Sequence, residues 1–485
     1  MTTLTLPADV RTASTDRIED GTFTALWSQI TRIHGCARPI RLTGRIRHVD
    51  TATGEIKQVF DSASQPDGTI LLPCGNRRAS VCPSCSYLYA GDAWQIVHAG
   101  VDGGHDVPTT IAEHPGLFVT VTAPSFGPVH SQRRHHGRIR PCQQHPGRCR
   151  HGHPRCTRVH TDTDPLLGQA ICPDCFDYPA AVLWNATCSR LWKRTIDLTI
   201  RRLATVTGHR ERTLRTLVRI SYVKVAEGQH RGLIHFHAIL RADAPTPPGS
   251  WEPPPGWLTV DTLAAAWNWA VAHARHPCPN PRRHTPTRPG GPHTSPVHTR
   301  WGEQNNTQRI AVTGGEITPK QVANYIPKYA TKDITDSGVL YRRIRTLTEL
   351  YTLLPTLTPH QARLVRTAWE LGGWPDMAEH RLRENAHMFG YRGHWLTKSR
   401  RYSITFATCR ERRRTWTRTH TPTGEERTPL DAWGRDFNDD HVITLATWQF
   451  HSTGYARTGD QALADMAANQ ARSRREAARI DQQAA

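Results

Sequence analysis

The sequence predicts an α+β fold built on an antiparallel sheet. Three observations carry this reading: an alternating β-branched segment, a pair of strand-like segments joined by a short polar turn, and helices on either side of that pair. Residues 116–123, GLFVTVTA, alternate along a strand. Residues 181–206 place Leu183, Trp184, Leu191, Trp192, Ile196, Ile200 and Leu203 at helical spacing and read as one long helix. Residues 219–226 and 233–241 form a hairpin across the turn EGQHRG. Residues 318–329 form a helix that starts cleanly, with Thr318 as N-cap and Pro319 at the first helical position. Beyond Arg342 more helix is expected, then a strand pair over 402–406 and 441–450.

Composition narrows the function. The chain has 485 residues, with 62 Lys+Arg against 42 Asp+Glu, a net charge of +20, and 28 His. Charged residues are only 21%, so the basic excess reflects a shortage of acids and points to a polyanion, nucleic acid first. No stretch approaches the roughly 20 apolar residues of a spanning helix. Residues 1–20 are polar and acidic, without the apolar core of a secretion signal. A cytoplasmic protein is expected, in which the 12 Cys stay reduced and clustered thiols act as metal ligands.

The expected organisation is linear. Residues 1–110 carry a Cys-rich zinc module, and 111–340 the central domain. That domain is interrupted by a Cys/His-rich insertion over about 130–175 and a Pro-rich one over about 243–306. In the latter only 258–274 is helical, and the Pro-rich flanks are loops. Residues 341–455 form a mixed helix/strand region suited to DNA binding, and 456–485 a helical or disordered tail.

Cys82 and Cys85 form a CPSC knuckle that Cys74 and Cys36 complete as a four-thiolate zinc site. Arg77 and Arg78, inside that loop, are expected to meet DNA phosphate. A second zinc is expected among Cys142, Cys149, Cys156, Cys172 and Cys175, with CPDC as its knuckle. Which two partners join Cys172 and Cys175 stays open; Cys142 with Cys149 or Cys156 is favoured over His145, His151, His153 and His160. Cys188 reads as core, Cys278 and Cys409 as unligated.

The chemistry lies in two strings. In GLIHFHAILR, His235 and His237 are two apart on a strand and share one face. Two imidazoles so placed suit a divalent ion that takes a third, oxygen donor, and Glu227 on the preceding strand can supply it. Two solvent-facing histidines are the plainer alternative. In VANYIPKYATKD, Tyr325 and Tyr329 are four apart on one helix face, and Lys328 and Lys332 follow each by three residues. Phenols beside ammonium groups suit phosphate chemistry, although such pairs also serve packing. Pro327 should kink or end the helix nearby.

FVTVT, HFH and YIPKYATK, in that order along the chain, resemble the motifs of the HUH endonucleases, in particular rolling-circle replication initiators. GCARPIRLTG, CGNRRASVCPSC and FVTVTAPSFGPVHS are similar to those of initiators from actinomycete integrative and conjugative plasmids. The resemblance spans roughly Cys36 to Tyr402. It implies an HUH nuclease core, an antiparallel sheet flanked by helices. It also implies Mg2+ or Mn2+ on His235, His237 and Glu227, a 5′-phosphotyrosyl intermediate, and a free 3′-OH primer. Tyr329 is expected to cleave first and Tyr325 second. Basic segments such as SRLWKR, with Lys193 and Arg194, are expected to contact DNA. No GxxxxGK[ST] loop is present, so unwinding falls to a host helicase and synthesis to a host polymerase. A double-tyrosine transposase and a non-catalytic, zinc-dependent DNA-binding regulator are the competing readings.

Overall fold

The strand Ile234–Asp243 lies at the middle of a five-stranded antiparallel sheet. Asn306–Ile310 and Gly116–Val121 flank it on one side, Arg219–Gly228 and Leu396–Lys398 on the other. In this computed structural model the described residues are 8–281, 297–311, 316–332, 340, 342–420, 425–437 and 441–484. They group into two units, Ala93–Ile404 around this sheet, and Met1–Asp92 together with Thr405–Ala485.

Strand alternation gives the five-stranded sheet two different faces. Leu117, Val119, Phe236, Ala238 and Leu240 are buried on one of them. They share a core with the helices Tyr178–Val206 and Val260–His273. Trp192 meets Phe236 at 5.9 Å and Trp267 at 5.4 Å between ring centroids. The long helix starts where Asp177 accepts the Ala180 N–H and a proline fills the first turn. Lys224 is buried on this face too, its ammonium 3.9 Å from the Phe236 centroid. The other face carries Phe118, Thr120, Glu227, His235 and His237. The helix Pro319–Ala330 lies over it and buries Val322, Ala323, Ile326 and Ala330. Thr318 and Gln321 close a reciprocal capping box at its start. Pro327 sits in its last turn, where its missing N–H removes the bond to the Ala323 carbonyl, and the helix ends three residues later at Ala330. Trp94 fastens it by donating to Asn324 at 2.9 Å.

The Pro-rich insertion contains the expected helix, and His276–Cys278 pairs with Val297–Thr299. Residues 282–296 of its expected loops lie outside the described residues.

The other unit departs from the linear expectation. A strand forms near 441–450, as Val442–Thr453, but its partner is not 402–406. It pairs antiparallel with Ile40–Asp50, from Ile40 opposite Thr453 to Asp50 opposite Val442. Ile56–Asp61 and Ile70–Leu72 complete that sheet. Residues 402–405 are irregular instead: the Tyr402 hydroxyl donates to the Val97 carbonyl, and Ser403 to that of Ile96. A Cβ on Gly44 would run into the Thr447 carbonyl oxygen, so the close strand approach requires glycine there. The C-terminal segment is helical, Thr458–Ala484, and packs Leu463, Ala464 and Ala467 with Leu26 and Ile30. Buried Arg17 ties the same elements, bonding Asp460 at 2.5 Å and Asp67 at 2.8 Å.

Candidate active site and thiol clusters

Register brings the expected ligands together. Glu227 stands directly opposite His235, and His237 lies between Val225 on one neighbouring strand and Thr120 on the other. Both histidines turn Nε2 to one carboxylate oxygen, His235 at 2.6 Å and His237 at 3.1 Å from Glu227 Oε2. The remaining ring nitrogens are also held: His237 Nδ1 lies 2.9 Å from Thr120 Oγ1, and His235 Nδ1 3.4 Å from Gln229 Nε2. Such outer partners fix the orientation of ligating imidazoles. Lys332 Nζ takes the other carboxylate oxygen at 2.9 Å. Burial raises the Glu227 carboxyl, but hydrogen bonds from His235, His237 and Lys332 outweigh it and hold the group well below the usual range. Burial pushes His237 down, which favours its neutral, ligating form. Two imidazoles and an anionic carboxylate, with ligand atoms all within 4.8 Å of one another, fit a divalent ion.

The tyrosines stand over the same point. Tyr329 lies 4.7 Å and Tyr325 5.4 Å from the His237 ring centroid, and the two phenols are 4.9 Å apart. Phe118 meets Tyr325 edge-on at 5.5 Å. Lys332 Nζ is 4.5 Å from the Tyr329 ring centre, so one ammonium touches both the carboxylate and a phenol. Burial first, then Tyr325 and Glu227, push the Tyr329 hydroxyl above its ordinary value, leaving it protonated at rest.

Lys328 is exposed, and no described contact brings its side chain to this cluster. Lys193 and Arg194 are exposed on the helix that covers the opposite sheet face. Arg77 and Arg78 belong to the other unit. The sequence did not single out Thr120 or Gln229, which only strand register and the hairpin turn bring to the histidines.

The thiols Cys36, Cys74, Cys82 and Cys85 converge, with Sγ separations of 3.6, 3.7 and 3.8 Å. A tetrahedron with Zn–S bonds of about 2.3 Å has edges of about 3.8 Å, so this set fits zinc. The Ala37 and Cys74 N–H groups donate to sulfur there.

The five thiols of the insertion do not share one site. Cys142 and Cys156 join His130 and His160; Cys149, Cys172 and Cys175 join His151. Cys156 Sγ lies 3.3 Å and His130 Nδ1 3.2 Å from His160 Nε2. In the other set His151 Nδ1 is 3.3 Å from Cys175 Sγ and 3.7 Å from Cys172 Sγ. His160 is fully buried, and its second nitrogen is fixed on Asp164 at 2.7 Å, the outer carboxylate a ligating imidazole needs. Of the favoured partners, Cys149 therefore lies with Cys172 and Cys175, whereas Cys142 and Cys156 lie in the other set. The Cys156–His160 spacing was visible in sequence, whereas His130 reaches them only through the folded loop. His153 approaches Cys172 and Asp174 but stays exposed. Cys188, Cys278 and Cys409 are buried outside these clusters. Among the described residues no helix is long and apolar enough to cross a membrane.

A family model described as "RepSA: Replication initiator protein, pSAM2" matches residues 22–469 of the chain. The chain is also similar to a replication initiator protein of Streptomyces ambofaciens, at 38% identity over 461 residues, 94% of this chain and 92% of the relative. No solved structure matches it.

Proposed function

The chain belongs to the RepSA family of replication initiator proteins, and from that premise we propose that it nicks and rejoins one strand of origin DNA to start rolling-circle replication, by HUH-endonuclease chemistry. The convergence of two tyrosines on the His235–His237–Glu227 cluster carries this reading. A divalent ion on those three residues, Mg2+ or Mn2+, supplies Lewis-acid polarisation of the scissile phosphate.

The chain's own groups do the rest. Lys332 keeps Glu227 anionic and sits against Tyr329, where its charge favours the phenolate once substrate is bound. The Tyr329 hydroxyl gives its proton to solvent, its oxygen attacks phosphorus, the P–O3′ bond breaks, and the departing 3′ oxygen takes up a proton from solvent. The products are a 5′-phosphotyrosyl link and a 3′-OH primer. Tyr325, one turn away, is free for the second transfer that ends a round. Tyr329 leads because it is the closer to His237 and the one against Lys332. Zinc in the three Cys and Cys/His clusters is structural, since four protein ligands close each site. A host helicase and polymerase act on the opened origin.

Single-stranded oligonucleotides tiling the replicon's origin, incubated with protein and Mn2+, test the reading. A covalent adduct mapped to Tyr329 or Tyr325 is expected. A protein that binds these strands but forms no adduct on either tyrosine is a regulator instead.

A further inference from the structure

We propose that the exposed arginine helix Phe406–Thr419 docks on duplex DNA, so that duplex binding resides in the unit Met1–Asp92 with Thr405–Ala485 while cleavage resides in Ala93–Ile404. The inference builds on the nicking function proposed above and adds a separate, duplex-binding surface to it.

This helix is built unlike any helix that serves a core. A surface helix ordinarily buries an apolar stripe. Here Cys409 is the buried residue, and every residue from 410 to 418, RERRRTWTR, is exposed. It is fastened at its start, at its middle and at its far end instead. At the start Thr405 caps the Thr408 N–H at 3.1 Å, and Phe406 stacks on Tyr89 at 4.9 Å. Arg413 pairs with buried Asp92, its Nη2 2.9 Å from Oδ2. At the far end Arg427 donates to the Thr417 and Arg418 carbonyls at 2.9 and 3.0 Å. Three attachments therefore hold in place a rod whose exposed sides offer arginine; Arg414 shares its charge with the likewise exposed Glu411, at 3.6 Å, and Arg410 lies 6.0 Å from the Phe406 ring centre.

The charge is organised. Arg410, Arg414 and Arg418 recur every fourth residue and form one stripe about 12 Å long. The DNA major groove is about 12 Å wide and admits an α-helix. A cleft of about 710 Å³ runs beside the stripe, lined by Arg32, Arg410, Arg413, Arg414, Arg418 and Arg427. Asp92 is the acid among its lining residues, and Arg413 already pairs with it. Four thiolates around a zinc dication next to the cleft carry about −2, which still leaves the walls positive. A flexible single strand would call for several stacking platforms. The exposed aromatic on this helix, Trp416, is already stacked on His420 at 3.5 Å. A rigid polyanion with phosphates on two sides is the better match.

The test is the full-length variant Arg410→Gln/Arg414→Gln/Arg418→Gln, which spares the anchors Arg413 and Arg427. Fluorescence anisotropy is measured on a mixed-sequence duplex of about 30 base pairs across a salt series, and adduct yield on single-stranded origin oligonucleotides. Duplex affinity should fall at least about tenfold near 0.15 M salt, and the log–log salt slope by about 2–3, since each phosphate contact contributes roughly 0.9. Adduct yield should stay at the wild-type level. Unchanged duplex affinity and slope would overturn the proposal, as would loss of the adduct with duplex binding kept, which would make the helix a single-strand or protein contact. If the triple variant melts early, Arg414→Gln alone should lower the slope by about 1, and no change there overturns it equally. Should wild-type protein bind duplex, lose that binding in the variant, and yet form no adduct, the docking surface stands and the nicking function falls.

Discussion

His237 shows how much of the site hangs on one side chain. It accepts orientation from Thr120, faces Glu227, and underlies both phenols. His237→Ala and His235→Ala should each abolish adduct formation while melting and duplex binding stay close to wild type. Thr120→Val should be milder, weakening metal affinity or rate about 10–100-fold, with a Mn2+ titration of adduct yield recovering most of the loss. Full activity at ordinary Mn2+ in Thr120→Val would remove Thr120 as a positioning residue. The histidine pair was legible because strand alternation is local; Thr120 was not, because its place beside His237 is set by a pairing across more than a hundred residues. Lys224 makes a different residue-scale prediction. Burial lowers its ammonium from 10.5 to about 8. Below pH 8 the fold must house that charge; between 8 and 10.5 the unfolded chain keeps a proton the folded chain has lost, so stability rises with pH there. Lys224→Met should add about 1–3 kcal/mol at pH 7, and denaturant melts should show that gain shrinking towards pH 10.5.

At the scale of elements, the tyrosine helix is the most sequence-determined part. Thr318, Pro319 and Gln321 mark its start, and the four-residue tyrosine spacing survives because Pro327 falls in the last turn. Thr318→Ala removes half of the capping box and should cost about 1 kcal/mol in denaturant unfolding, with a smaller adduct yield as the phenols lose their fixed position. The Cys/His insertion was legible only as a metal-binding region. Ligand grouping depends on how a loop with two three-residue strands folds back, and no periodicity encodes that. Cys156→Ser and Cys172→Ser should therefore each release one zinc, and the double variant two. Loss of a single zinc from the double variant would return the insertion to one shared site.

For the whole molecule, the expected metal content is three tightly held zinc ions per chain, one per four-ligand cluster, by elemental analysis of protein purified without chelator. A value near two or below would refute the three-site assignment. The α+β class was legible from patterning and the DNA partner of an initiator protein from charge. The grouping of Met1–Asp92 with Thr405–Ala485 was not. Composition along the chain shifts at the insertions, and so suggests linear boundaries, whereas the grouping rests on one long-range strand pair and a buried arginine between two aspartates.

That strand pair also sets a clock on the ribosome. Asp50 waits for Val442, about 390 residues later, and at roughly 5–20 residues per second that is roughly 20–80 s of translation. During that time the Ile40–Asp50 strand has an open edge and the thiols of Cys36 to Cys85 belong to an unfinished unit. A prematurely terminated product thus has a vacant β edge, a target for chaperones and proteases. Only a chain translated through its last strand can complete the unit that carries the arginine helix.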